Sequence, residues 1–272
     1  MKFMYLGTAA AEGFPAVFCN CSYCKEARRL GGKNIRTRSQ SMINEDMLID
    51  FPADTYHHFL TNNIEGDKIK YLLVTHSHRD HFYCEDLKAR HGAYAHDMRT
   101  ETLQVYCGKG THQIMLSNGE VPAGVELHLL EEFQETSVGS YKVTPLPARH
   151  YKGDGALFYL IKGDKTVLYA HDTGYFYEEV FDYLKEQQIV PDMISFDCTY
   201  GDIPASDESS HMGLDNIFRV VDKLRENGNV DQHTILVINH FSHNANPLHE
   251  VLEEKVREKG YLVAYDGMRL EI

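Results

Sequence analysis

The chain has 272 residues, 43% of them apolar and 25% charged, with 27 Lys and Arg against 40 Asp and Glu for a formal net charge of −13. That length suffices for one large α/β domain with a sizeable core, and no run approaches the ~18 apolar residues of a membrane span. The acidic balance repels phosphate backbones and so disfavours a long nucleic-acid partner, while leaving room for a small anion met by metal ions.

Residues 2–6 read as a first strand, and their early break at Gly7 is too soon for a signal peptide, so the cytoplasm is the default address. A small-residue loop follows over 7–13, then a cysteine cluster. Residues 39–43 and 47–50 look like a hairpin, 54–61 like a short helix, and 71–74 like a buried strand that leads into His76. Segments 102–107, 125–130 and 143–147 are strand-like, the last ending at Arg149-His150. Residues 156–161 and 166–170 flank the hairpin signal Gly163-Asp164, and the second runs into His171-Asp172. Helical spacing appears over 176–188, again at Ile217, Val220, Val221 and Leu224, and over 247–259. Strands are expected at 193–196 and at 234–239, which ends at His240. No linker, internal repeat or low-complexity tract divides the chain, so residues 1–272 read as one domain.

Four apolar runs thus each end in a candidate ligand: His76, His150, Asp172 and His240. The strongest local signal is Thr75-His76-Ser77-His78-Arg79-Asp80-His81. In an extended segment His76 and His78 face the same side and reach one ion, leaving Asp80 and His81 for a second. A catalytic zinc takes about three protein ligands and keeps a position for water, so two ions need six or seven groups. His150, Asp172 and His240 supply the balance, with the Asp172 carboxylate able to bridge. A two-metal hydrolase is the chemistry this set points to. His and carboxylate ligands suit zinc or manganese, with iron a further option.

This pattern resembles the metallo-β-lactamase fold superfamily, whose H-x-H-x-D-H motif matches His76, His78, Asp80 and His81 and whose later ligands fall on His150, Asp172 and His240 in order. The resemblance implies a four-layer αββα sandwich with the metals at one edge between two sheets. It implies one metal on His76, His78 and His150, a second on Asp80, His81 and His240, and Asp172 between them.

Six cysteines are present, and Cys19, Cys21 and Cys24 crowd into a C-x-C-x2-C pattern one ligand short of a tetrahedral structural zinc site. His243, three residues beyond His240, is the candidate for the fourth. Cys84, Cys107 and Cys198 read as ordinary cysteines. The cysteine set together with the late histidine resembles the PhnP family of phosphodiesterases, where such a set holds a structural zinc. That resemblance implies a small phosphodiester, cyclic ones included, and suggests a homodimer. The opening Gly7-Thr8-Ala9-Ala10-Ala11-Glu12-Gly13-Phe14-Pro15 also resembles PqqB, though PqqB-like proteins lack the full histidine set that this chain keeps. His211, just ahead of a helix, is the candidate acid for the leaving alkoxide, alongside Asp80 in the catalytic centre. Asp197, at a strand end, is a candidate to orient a ligand histidine. The rivals to a phosphodiesterase are a carbonyl hydrolase of lactamase or thioesterase type and a PqqB-like biosynthetic protein without hydrolytic turnover.

Overall fold

Most strands here are apolar on successive residues rather than alternate ones, the pattern of strands covered on both faces. The computed structural model describes residues 1–117, 121–151, 153 and 155–272. Its strands are β1 (Lys2–Gly7), β2 (Gln40–Ile43), β3 (Met47–Ile49), β4 (Tyr71–Val74), β5 (Leu103–Cys107), β6 (Val125–Leu129) and β7 (Thr136–Val138), followed by β8 (Tyr141–Pro147), β9 (Leu157–Lys162), β10 (Thr166–Ala170), β11 (Met193–Asp197), β12 (Ile235–Asn239), β13 (Tyr261–Val263) and β14 (Arg269–Glu271). They form two seven-stranded sheets, ordered β14-β1-β2-β3-β4-β5-β6 and β13-β12-β11-β10-β9-β8-β7.

Between the sheets lie Phe3 and Tyr5 of β1, Tyr159 and Ile161 of β9, Val167 and Tyr169 of β10, and Val237 of β12. Their neighbours one residue along point outward. Met4, Leu6, Leu72 and Val74 meet Phe59 of helix α2 (Thr55–Asn62) and Met115 of α3 (Lys109–Ser117), while α1 (Ser22–Leu30) stays at the N-terminal rim. On the far side Phe158, Leu160, Leu168 and Phe196 meet Val180, Phe181 and Leu184 of α4 (Glu178–Glu186). The same outer core takes Ile217, Val220, Val221 and Leu224 of α5 (Leu214–Glu226), and Leu252 and Val256 of α6 (His249–Val256). The layers run αββα, as the sequence resemblance implies. The i, i+3, i+4, i+7 stripe of α5 is what lets it lie flat on a sheet. Asn216 closes its first turn by accepting from the Gly213 N–H at 3.1 Å.

Boundaries differ from the sequence expectation mostly by one or two residues. Two helices, α1 and α3, were not foreseen, and the chain after His81 forms 3-10 turns (Cys84–Arg90). The three-residue strands β7, β13 and β14 are too short to carry a sequence period; sheet pairing alone defines them.

Chain direction positions the site. Strands β10, β11, β12 and β13 are parallel, and β8 runs the same way because both β8–β9 and β9–β10 are antiparallel. Their C-terminal ends therefore share one edge. The end of β4 joins them across the sandwich: Leu157 N donates to Thr75 O at 3.0 Å and Tyr159 OH to Val74 O at 2.5 Å. In sheets of this kind the crevice beyond the strand C-termini is where ligands bind.

Candidate metal centre

Every ligand expected for the two-metal centre sits at or just past one of those strand ends. Three ring nitrogens converge first: His76 Nε2 lies 3.0 Å, and His150 Nε2 3.3 Å, from His78 Nδ1. A second group forms beside it, with His81 Nε2 3.4 Å from Asp80 Oδ2 and 3.3 Å from His240 Nε2. Asp172 stands between the groups. Its Oδ2 is 2.9 Å from His81 Nε2 and 3.0 Å from His240 Nε2, and its Oδ1 is 3.9 Å from His150 Nε2. Within each triad the ligand atoms lie within 4.8 Å of one another.

The turns that aim these side chains are strained. Asp172 and His240 follow their strands with φ of 49° and 59°, and Asp50 follows β3 with φ of 66°. Left-handed backbone on a residue other than glycine costs about 1–3 kcal/mol. The gain is a sharp turn that directs the side chain along the strand axis into the edge of the sandwich. Gly174 serves the same edge: a Cβ there would meet Ser209 O at 1.8 Å, so only glycine lets the segment carrying His211 lie on it.

Hydrogen bonds set which nitrogen of each ring faces inward. Buried Asp50 accepts from His81 Nδ1 at 2.6 Å and from Thr75 N and Oγ1 at 2.8 and 2.9 Å. Thr75 Oγ1 in turn lies 3.1 Å from His76 Nδ1. Thr199 Oγ1 meets His240 Nδ1 at 2.8 Å, and Ser210 O meets His150 Nδ1 at 3.3 Å. With their protons held outward on Nδ1, the Nε2 atoms of these four rings turn lone pairs to the centre. None of Asp50, Thr75, Thr199 or Ser210 was expected from the sequence. Asp50 alone left a signal there, as an acidic residue closing a strand.

The site fits a divalent cation on its own terms. Asp172 Oδ2 is buried and makes no hydrogen bond of good geometry, although ring nitrogens of His81 and His240 lie 2.9 and 3.0 Å away. A buried carboxylate oxygen left that way is costly unless an ion meets it. Burial raises the Asp172 pKa, yet His240 and His81 outweigh it and hold it well below the usual carboxylate range. Burial likewise lowers the His81 pKa, while Asp172, Asp50 and Asp80 more than reverse the shift. Positive charge is what this position stabilises.

His211 stands beside the second group, its ring stacked on that of His240 with centroids 5.7 Å apart. Asp197 Oδ2 takes its Nδ1 at 2.8 Å and is 3.7 Å from His240 Nδ1. The carboxylate expected to orient a ligand histidine therefore chiefly orients His211. Burial lowers the His211 pKa, but Asp197 and Asp172 outweigh it and raise it to about 9.

The cysteine cluster assembles as the spacing suggests. Cys21 is the N-cap of α1, its Sγ accepting from Cys24 N at 3.4 Å, while Cys19 Sγ accepts from Cys21 N at 3.4 Å. His243 Nδ1 closes the group from the other end of the chain, 3.8 Å from Cys21 Sγ and 3.7 Å from Cys24 Sγ. His243 and the Cys24 N–H lower the Cys21 pKa to about 6, whereas burial raises that of Cys24 to about 11. Cys84, Cys107 and Cys198 lie outside this group.

Among the described residues no helix is long and apolar enough to cross a membrane. Known structures share the fold over the whole chain. A diphosphatase of the PhnP family is 22% identical, with a TM-score of 0.76 over 100% of this chain and 98% of that one. Zinc-bound PqqB from Methylobacterium extorquens is 19% identical, with a TM-score of 0.78 over 100% of both. Yeast PDE1 is 11% identical, with a TM-score of 0.69 over 100% of this chain and 99% of that one. At these identities the likeness speaks for the fold alone. No curated protein matches the chain in sequence. Residues 48–237, well over half the chain, match the family described as the beta-lactamase superfamily domain. They run from β3 into β12 and contain every His and Asp of the two groups except His240, which lies just beyond, so the chain belongs to the beta-lactamase superfamily.

Proposed function

We propose that the protein is a binuclear metal-dependent hydrolase acting on a small phosphodiester. The observation that carries this reading is the pair of ligand triads sharing Asp172, with the Asp197–His211 pair set against the second of them. His76, His78 and His150 would hold one ion, Asp80, His81 and His240 the other, and Asp172 both. Such ions, when bound, supply Lewis acidity toward a phosphoryl group and lower the pKa of water. Zinc or manganese suits this donor set.

The chain's own residues do the rest. Asp50 and Thr199 fix the ring orientations, which removes reorganisation cost at the moment of reaction. His211 holds a proton on Nε2, because Asp197 occupies Nδ1, and donates it to the departing alkoxide. The Asp197 carboxylate keeps the ring charged until then. Cys19, Cys21, Cys24 and His243 would hold a structural zinc that ties the N-terminal rim to the end of β12.

The test is hydrolysis of bis-p-nitrophenyl phosphate by protein of measured metal content, with Mn²⁺ or Zn²⁺ added, beside a β-lactam and a thioester. Turnover of the phosphodiester, lost on chelation, is the expected result. Turnover of only a carbonyl substrate, or of none by the metal-loaded protein, would overturn it.

A further inference from the structure

The cleft beside the two triads has a volume of about 300 Å³, at the small end for a ligand pocket. Apart from the metal-capable groups, its polar walls come from Glu12, Tyr151, Thr199, Tyr200, Ser242 and Asn244. Among the described residues no Lys or Arg lines it. Arg79, between His78 and Asp80, is exposed and does not line the cleft, and two further arginines beside it are occupied elsewhere. Arg149 pairs with Glu208 at 2.6 Å and stacks on Tyr177, and Arg38 pairs with Asp54 at 3.3 Å and donates to Ala11 O.

Among the described residues Glu12 is the one acidic wall residue outside the triads, and its place is fixed. The segment before it is paired with the chain leaving β12: Phe241 N donates to Thr8 O at 2.9 Å and Ala10 N to Phe241 O at 3.0 Å. The carboxylate is held through one oxygen, with Oε1 accepting from Ser242 Oγ at 2.6 Å and from His243 N at 3.3 Å. All its contacts with described residues use Oε1. Its side chain remains 30% exposed, which leaves Oε2 as an acceptor at the cleft.

We propose that Glu12 selects the non-reacting group of the substrate: it accepts from a hydrogen-bond donor, a hydroxyl or an ammonium, and turns away a second phosphate. This deepens, and rests on, the phosphodiesterase reading above. A carboxylate with an open acceptor rewards a donor and repels a second anion, and among the described residues no Lys or Arg lines the cleft to offset that repulsion. Tyr151, Tyr200 and Asn244 offer further polar contacts to a hydroxylated group and none of the charge that a diphosphate needs.

The test compares kcat/KM on four p-nitrophenyl phosphodiesters with one leaving group: bis-p-nitrophenyl phosphate and the 2,3-dihydroxypropyl, 2-aminoethyl and 2-phosphoethyl esters. The wild type is expected to favour at least one donor-bearing ester over the phosphoethyl ester by about tenfold or more. The dihydroxypropyl and aminoethyl arms separate hydroxyl from ammonium. Glu12→Gln, which keeps an acceptor for Ser242, should shrink that ratio several-fold, and Glu12→Lys should reverse it. Metal content and melting temperature are read beside each variant; if Glu12→Lys does not fold, the Glu12→Gln ratio decides. A wild-type ratio near one, or equal shifts on all four esters, overturns the role of Glu12 while bis-p-nitrophenyl phosphate turnover keeps the hydrolase reading standing. Metal-loaded wild type that cleaves none of the four overturns both.

Discussion

The chain gathers metal-capable side chains twice, and the two places are built on opposite plans. The His and Asp cluster is assembled from the ends of β4, β8, β10 and β12, is largely buried, and has a hydrogen-bonded support behind most of its rings. The cysteine cluster hangs on a loop and the first turn of α1, is only partly buried, and owes its fourth member to a single 3-10 turn after β12. Strand ends held in a sheet cannot adjust, so their ligands are kept in place whether or not an ion is bound. A loop with three thiols can adjust, and the ion itself then does much of the ordering. The first plan suits chemistry and the second suits fastening.

Substitutions can break that contrast, and Asp172→Asn is the most severe. It removes the group shared by both triads, and the loss of several kcal/mol of transition-state stabilisation corresponds to about 10³-fold or more in turnover. Melting temperature should fall little beside that, since the strands do not depend on the ion. Comparable activity in a variant with full metal content would remove the centre from the chemistry altogether.

Next in size, His211→Ala should slow hydrolysis of diesters with alkoxide leaving groups by about 10²- to 10⁴-fold, and those with p-nitrophenolate much less, because a good leaving group needs no acid. Equal losses for both would mean that His211 only shapes the site.

Asp50→Asn probes the support rather than the ligands. The Asn can still face His81 and Thr75 but no longer carries the charge, and metal affinity at the strand-end centre should drop about 10- to 100-fold. Metal at the cysteine cluster should stay, which titration with a chelator would resolve site by site.

The smallest effect on chemistry is expected for Cys21→Ser. It should lower the metal content by one per chain and the melting temperature by several degrees, with turnover per remaining metal within about threefold. A loss of metal affinity at the strand-end centre as large as that of Asp50→Asn would show that the two regions are not independent. Glu12, in contact with both Ser242 and His243 at the cleft wall, would be the first place to look for the link.

Much of the strand-end centre was legible before any fold was known. His76, His78, Asp80 and His81 lie within six residues, so covalent spacing alone brings them together once the segment is extended. His150, Asp172 and His240 could be found because each follows an apolar run, and strands in a sheet present their ends together. The helices α1 and α3 were missed for local reasons. The first is occupied by the cysteine motif and strongly charged, and the second is nine residues long with little apolar asymmetry.

What stayed hidden depends on contacts between distant segments. Asp50 reaches His81 across 31 positions and Thr199 reaches His240 across 41. Nothing in local spacing distinguishes such partners from other polar residues. By itself the sequence determined the ligand types, their grouping along the chain and the apolar runs that deliver them. The tertiary structure decided which carboxylate serves which histidine, where the left-handed turns fall, and that a glutamate rather than a lysine or arginine faces the cleft. Those choices follow from sheet order and from the packing of loops at its edge, where energies of a few kcal/mol per contact are settled only in the folded chain.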